Sequence, residues 1–190
     1  QFVEQAHKYS SGDYKMVAAI PDELPTIFDP NTVGHEMRYQ GPQINDAHFE
    51  KTKTFSSTWD AQGLAGLRSG AVWYRHHFTL PAEAAGQPIG LFIGGVEDEA
   101  RVWINGQLIG SSGARFSAPF VFDLTDGINS GGDNVLAIEV VRNSAANEIG
   151  LGGILRPCFL FTGPRLETKA PKPLELRRVL PGGELGDVEK

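Results

Sequence analysis

The 190-residue chain is poor in several features that define whole classes of protein. It has one cysteine, Cys158, which excludes an intrachain disulfide and a thiolate metal cluster. No apolar run approaches the ~18 residues of a membrane-spanning helix. The formal net charge is −6 and no basic run occurs, which argues against binding to nucleic acid or an anionic membrane. The first residue is Gln1 rather than Met, so either a leader has been removed or the chain is a piece of a longer protein. Both are compatible with the extracellular or periplasmic location that we expect.

Residues 1–50 also lack an amphipathic pattern long enough to predict a helix. Glycine and proline, in contrast, are frequent and evenly spread along the whole chain. The 23 glycines and 12 prolines separate short runs of apolar residues. Turn residues every ~8–12 positions are typical of an all-β fold, an antiparallel β-sandwich or jelly roll. Strands are predicted over 14–20, 71–80, 89–93, 100–104, 107–110, 120–124, 135–142 and 157–162.

Alternation along the chain predicts which side chains of the longest strand face the core. Successive side chains of a strand point to opposite faces. The face predicted to be core carries Val72, Tyr74, His76, Phe78 and Leu80. The opposite face carries Trp73, Arg75, His77 and Thr79. For Trp73 and Trp103 we expect packing on the opposing sheet or on the N-terminal segment.

Turn chemistry and proline positions divide the chain into three parts. Asn105-Gly106, between two alternating runs, predicts a tight hairpin because both residues tolerate positive φ. Residues 1–50 are interrupted by prolines and are predicted to be an irregular segment packed on the sandwich. The sandwich is predicted over 51–163, and the proline-rich residues 164–190 are predicted to be an extended tail or linker.

Five segments, taken together, resemble one known family. They are Val72-Trp73-Tyr74-Arg75; Ala100-Arg101-Val102-Trp103-Ile104-Asn105-Gly106; Phe122-Asp123-Leu124-Thr125; Gly132-Asp133-Asn134-Val135-Leu136-Ala137; and Gly152-Gly153-Ile154-Leu155-Arg156-Pro157. In this order and spacing, over about residues 55–163, they resemble the N-terminal sugar-binding jelly-roll domain of family 2 glycoside hydrolases, which has the galactose-binding-like fold.

The resemblance implies an accessory or carbohydrate-binding domain rather than the hydrolase itself. In that family the catalytic carboxylates lie on a separate barrel domain, and this chain lacks the alternating strand–helix pattern of a barrel. By itself the chain is therefore not expected to be an enzyme, although the resemblance associates it with glycosidase activity. A neighbouring catalytic domain or subunit and a glycan are the expected partners.

Residues that carry enzyme chemistry are present only in unpromising arrangements. The carboxylates of Glu97, Asp98 and Glu99 are consecutive, so we expect an exposed acidic turn rather than a catalytic pair. His76 and His77 are adjacent on a strand and face opposite ways, which prevents joint metal binding. Cys158 lies in an apolar strand and is interpreted as a buried small hydrophobic residue.

No organic cofactor is expected, but a structural calcium ion is an open alternative. The galactose-binding-like fold often holds calcium with backbone oxygens and one or two carboxylates, and the resemblance implies the same here. The weak candidate ligands are Asp98, Asp123, Asp126 and Asp133.

Sugar binding by loops at one end of the sandwich is the leading hypothesis. An aromatic ring would cover the C–H face of the sugar while planar polar groups hydrogen-bond its hydroxyls. The candidate residues are Trp59, Arg115, Phe116, Asn143, Asn147 and Glu148. The alternative for Trp59 is a lid packed over the edge of the sandwich.

Two other functions stay open. The chain is either a structural docking domain without a ligand of its own or, least favoured, a small glycoside hydrolase. Burial of Trp59 and Phe116 would favour the docking domain, whereas exposure beside Arg115 or Asn147 would favour sugar binding.

Overall fold

The computed structural model describes residues 1–63, 70–113, 118–142 and 152–167, together with the backbone of 177–179 and 185–188. Two 3₁₀ turns occur at Asp60–Gln62 and Ala82–Ala84. Within these ranges, no helix has the length and apolar character needed to cross a bilayer. The other elements, numbered along the chain, are α1 (Phe2–Lys8), β1 (Lys15–Ala19), β2 (Glu23–Asp29), β3 (Lys51–Lys53), β4 (Gly70–Thr79), β5 (Ile89–Ile93), β6 (Val96–Glu97), β7 (Glu99–Ile104), β8 (Gln107–Ser111), β9 (Phe120–Asp123), β10 (Asp133–Arg142), β11 (Gly153–Ile154), β12 (Cys158–Thr162), β13 (Arg177–Val179) and β14 (Leu185–Val188).

Two antiparallel sheets enclose the main core. The four-stranded sheet has the order β1-β12-β5-β9, and the six-stranded sheet has the order β3-β2-β4-β10-β7-β8. Val72 of β4 and Leu136 of β10 pack in the same apolar cluster as Leu91 of β5 and Leu160 of β12. All four are at most 1% exposed, so the cluster fills the space between the sheets. The predicted all-β antiparallel sandwich is confirmed.

The strands predicted by alternation are present with small shifts at their ends. On β4, Val72 and Tyr74 belong to the main core, as predicted, and Phe78 packs against it. Asn105 has φ 52° and Gly106 has φ 85°, the left-handed backbone that the hairpin between β7 and β8 requires. Period-two patterning and turn chemistry therefore positioned the central part of the fold correctly.

Residues 1–50, predicted to be irregular, contribute strands to both sheets. β1 pairs with β12, and β2 pairs with β4 over Thr26–Asp29. The strand predicted over 14–20 is β1, whereas β2 was not predicted. Pro25 lies opposite Lys51 of the short edge strand β3, just before β2 begins to pair with β4, so the missing N–H is tolerated.

The outer face of the four-stranded sheet is covered by α1 and the turn after it. Tyr9, at the end of this helix, packs with Phe92 and Phe161, and the ring centroids of Tyr9 and Phe161 are 4.9 Å apart. Phe2 and Ala6 of α1 lie against the same cluster. The helix is only seven residues long, too short for a helical period to be recognised in the sequence.

The outer face of the six-stranded sheet is covered by residues 29–46. Trp73 and Arg75 are both 0% exposed although they lie on the face opposite the main core. Arg75 donates to the Asp46 carboxylate (2.6 Å), to the Gly41 carbonyl (3.1 Å) and to the Tyr39 carbonyl. This segment thus covers the outer face of the sheet, while most of its own residues remain exposed to solvent.

The chain after the last sandwich strand packs along the sandwich before it forms a hairpin. Leu166 lies against the aromatic cluster of Tyr9 and Phe92. β13 and β14 pair antiparallel, so the tail, predicted to be extended, contains a short hairpin.

Candidate functional site

Trp59, the first predicted sugar-binding residue, is buried. It is 2% exposed, and its Nε1 donates a hydrogen bond to the Tyr74 hydroxyl at 2.7 Å. A Cβ atom at Gly152 would lie 2.2 Å from the Trp59 ring, and one at Gly153 would lie 2.6 Å from Nε1. The ring therefore packs over the edge of the sandwich against the glycine pair and is not a solvent-facing surface for a sugar.

The loops that hold the other predicted residues leave the six-stranded sheet at one end. Gly70 at the start of β4 lies opposite Arg142 at the end of β10, and Val141 lies opposite Glu99 at the start of β7. Ser111, the last residue of β8, is paired beside that same part of β7. We call this end, defined by Gly70, Glu99, Ser111 and Arg142, the rim. The segments 64–69, 114–117 and 143–150 all connect to it.

Five predicted residues fall in these connecting segments. Arg115, Phe116, Asn143, Asn147 and Glu148 lie outside the described residues. The role predicted for them stays a prediction. The structure shows where the strands on either side of these segments end.

Two buried charged side chains lie next to the rim. Glu97 in β6 is 1% exposed and Arg142 is 6% exposed, and each has an interaction partner. The expected exposed acidic turn at 97–99 is wrong for Glu97. β6 pairs with β11 through Glu97 and Gly153, so this short ladder is folded into the sandwich edge.

The four candidate calcium ligands are not assembled in one place. Asp98 N–H donates to the rim end of β10 (3.2 Å), whereas Asp133 begins that strand, about 25 Å away at ~3.3 Å per residue. Asp123 and Asp126 both bind the Arg165 guanidinium, Asp123 at 3.2 Å. In the described parts of the chain, no three or more acidic, histidine or cysteine side chains are grouped to hold a metal ion.

A charged cluster that the sequence did not predict lies on the outer face of the six-stranded sheet. Glu139 is 1% exposed and binds His35 Nε2 and Arg101, each at 3.2 Å. Burial raises the pKa of Glu139, and the nearby His35 and Arg101 oppose this shift without cancelling it. The His35 ring lies edge-on to Trp73, with ring centroids 5.2 Å apart, and Trp73 is 4.9 Å from Trp103.

This cluster fastens the N-terminal layer to the sheet. Asp29 accepts hydrogen bonds from the N–H groups of Val33 (2.8 Å) and Gly34 (2.7 Å) and from Trp73 Nε1 (3.2 Å). A glutamate within the apolar run of β10 was the available sequence signal, because a buried carboxylate needs a partner on its face. The partner, His35, comes from the segment that was predicted to be irregular.

Two stacked antiparallel sheets with few helices define an all-β sandwich domain. The family model for the second all-β domain of β-galactosidase matches residues 43–145, more than half of the chain. The chain therefore belongs to this family, and the resemblance to family 2 glycoside hydrolases is confirmed.

Individual relatives agree with this assignment. A β-galactosidase large subunit from Latilactobacillus sakei is 33% identical over 81% of this chain and 26% of its own length. A β-glucuronidase from Formosa agariphila is 39% identical over 54% of the chain and 12% of its own. The crystal structure of Ruminococcus gnavus β-glucuronidase matches with a TM-score of 0.66 at 18% identity, over 82% of the chain and 30% of that structure. The chain thus spans about a quarter of the first relative and corresponds to an all-β accessory domain.

Proposed function

We propose that this chain binds a saccharide non-covalently through its rim loops and borders the active site of a catalytic domain in a longer protein. The relatives named for β-galactosidase and β-glucuronidase activity suggest β-linked galactose or glucuronic acid as the sugar class. The chemistry is contact alone, with an aromatic ring on the C–H face and planar polar groups on the hydroxyls.

The convergence of strand ends at the rim is the observation that supports this proposal. Gly70 and Arg142 are direct neighbours across β4 and β10, so the segments that connect there start side by side. Those segments contain, in sequence, an arginine, a phenylalanine, two asparagines and a glutamate, the side-chain types that bind sugars. Because Trp59 is buried, Phe116 is the aromatic residue to which the proposal assigns stacking.

Isothermal titration calorimetry on the 190-residue chain tests the proposal with D-galactose and D-glucuronic acid as probes. We expect a dissociation constant of roughly μM to mM for one of them. The Asn143→Ala/Asn147→Ala variant should weaken that binding at least tenfold. Gln107→Ala is the matched control because its amide is exposed in the hairpin turn at the opposite end of the six-stranded sheet. Equal affinity of both variants would reject the rim site.

A docking domain without a ligand is the second candidate function. The burial of Trp59 favours it, because the most conspicuous aromatic residue of the loop region serves packing instead. In that case neither sugar produces heat of binding, and the rim and outer faces serve only as contact surfaces for the neighbouring domain.

A further inference from the structure

A continuous cleft runs along the side of the sandwich where the edge strands of the two sheets meet. β8 ends the six-stranded sheet and β9 ends the four-stranded sheet. Two depressions of about 720 and 370 Å³ lie there. Both are lined by Tyr9, Ser111, Val121 and Phe122, so they form one groove, which we call the edge cleft.

Aromatic rings form the floor of the edge cleft. Tyr9 and Phe92 are buried beneath it, whereas Tyr14 and Phe122, which also line it, are half-buried. Tyr14 is held edge-on by Tyr9, with ring centroids 5.1 Å apart. Phe122 lies against β8 at Gly110, where a Cβ atom would come within 3.1 Å of its ring. The rings are therefore fixed by packing before any ligand arrives.

Polar side chains line the margins of the same cleft. Lys8 and Glu167 are exposed, and Ser111 supplies a hydroxyl on the β8 side. Arg165 is fixed at one end because its guanidinium binds both Asp123 and Asp126. Fixed aromatic rings bordered by hydroxyl, ammonium, guanidinium and carboxylate groups are the combination that recognises a sugar chain.

We infer that the edge cleft is a second saccharide site that takes an oligosaccharide of several units lying along β9. The inference rests on the proposed function, because it assumes that the domain meets glycans. The cleft begins at Ser112 and Pro119, which flank the segment containing Arg115 and Phe116. A sugar chain held at the rim would continue from there toward Arg165.

A peptide added as an extra strand fits the cleft less well. The N–H of Leu124 donates to Ile89 on β5, and the antiparallel ladder alternates, so Phe122 also faces β5. On β9, only Val121 and Asp123 direct backbone groups to the open edge. Two residues provide too few backbone hydrogen bonds for stable strand addition.

Backbone amide NMR of the ¹⁵N-labelled chain tests the inference, with β-1,4-linked galactotetraose and D-galactose as probes. The tetrasaccharide should shift the amides of Lys8, Tyr14, Val121 and Glu167, and the monosaccharide should leave them unchanged. The Lys8→Ala/Glu167→Ala variant should weaken tetrasaccharide binding at the cleft at least fivefold. Glu50→Ala/Lys51→Ala, which removes the same two charges at the opposite edge strand, should bind like the unmodified chain.

The outcomes separate this inference from the proposed function. Shifts confined to rim residues such as Gly70 and Arg142 overturn the edge cleft and leave the rim proposal standing. Shifts in the cleft without shifts at the rim support the cleft and reject the rim. Cleft shifts with a hexapeptide of alternating threonine and valine, and none with the tetrasaccharide, overturn the inference in favour of a peptide site. Unchanged spectra with both sugars overturn the edge cleft, and the rim proposal is rejected as well when D-glucuronic acid also leaves the rim amides unchanged.

Discussion

At the residue scale, His76 in β4 of the six-stranded sheet should make the stability of the fold depend on pH. Its ring stacks on Phe78, with centroids 5.4 Å apart and planes at 13°. Burial and the neighbouring His77 lower the pKa of His76 to about 4. Between pH 6.5 and 4 the unfolded chain binds more protons at this residue than the folded chain does.

The contribution of His76 should therefore be fully present above pH 6.5, decline as the pH falls, and level off below about pH 4. The loss should be on the order of 2 kcal/mol, because partial exposure of the ring reduces the full effect of the shift. Urea unfolding at pH 7.5, 6, 5 and 4 measures it. His76→Phe should flatten this decline, whereas His48→Asn, at an exposed position, should retain it. Identical pH profiles of the two variants would contradict the assignment.

Trp59 shows what residue-level sequence analysis lacks. A tryptophan in a Ser/Thr-rich loop has the composition of a sugar-binding ring, and its chain neighbours are polar. Its burial depends on residues elsewhere in the chain. Gly152 and Gly153 leave room for the ring because they have no side chain, and the Tyr74 hydroxyl accepts its hydrogen bond. Local composition gives no access to such long-range contacts. The same holds for Glu139, whose partner His35 belongs to another segment.

At the element scale, one buried amide joins two turns of the six-stranded sheet. Asn134 is 0% exposed and accepts hydrogen bonds from Asn105 Nδ2 (2.8 Å) and the Asn129 N–H (2.7 Å). It donates to the carbonyls of Asn129 (2.9 Å) and Gly132 (3.1 Å). The turn before β10 and the hairpin between β7 and β8 are thus held in one arrangement.

Asn134→Ala should lower the free energy of unfolding by about 2–4 kcal/mol, because buried donors and acceptors lose their partner. Urea unfolding followed by circular dichroism measures the change. Asn31→Ala, at an exposed position, is the control and should change stability by less than ~0.5 kcal/mol. A similar small change for Asn134→Ala would show that water replaces the amide.

Long strands were predictable from the sequence, whereas short strands and a strand that contains proline were not. β4 and β10 are ten residues long and rich in apolar residues, so both were recognisable as strands in the sequence, and the two-residue period of a strand assigned their faces. β2 contains Pro25 and changes partner within its length, while β6 and β11 have two residues each. Such short or interrupted strands form because they pair with segments distant in the chain. A local sequence pattern does not indicate this pairing.

At the scale of the whole molecule, the first fifty residues cover the outer faces of both sheets. Among the described residues, three apolar clusters result, one between the sheets and one on each outer face. The cluster around Phe92 is covered by α1, and the cluster around Trp73 is covered by the segment that includes His35. The first fifty residues therefore both supply strands to the two sheets and cover their outer faces.

Removal of residues 1–12 should accordingly destabilise the whole sandwich. The truncation exposes Phe92, Phe159 and Phe161, which α1 and Tyr9 now cover, and it should cost about 3–5 kcal/mol by loss of apolar burial. We expect a lower urea midpoint and stronger fluorescence of the apolar dye ANS. Val3→Asp is the control, because it changes α1 at a position that is 75% exposed and leaves the aromatic cluster covered. It should change neither the urea midpoint nor the ANS fluorescence. An unchanged midpoint in the truncated chain would contradict the role of α1 as a stabilising cover of the outer aromatic face.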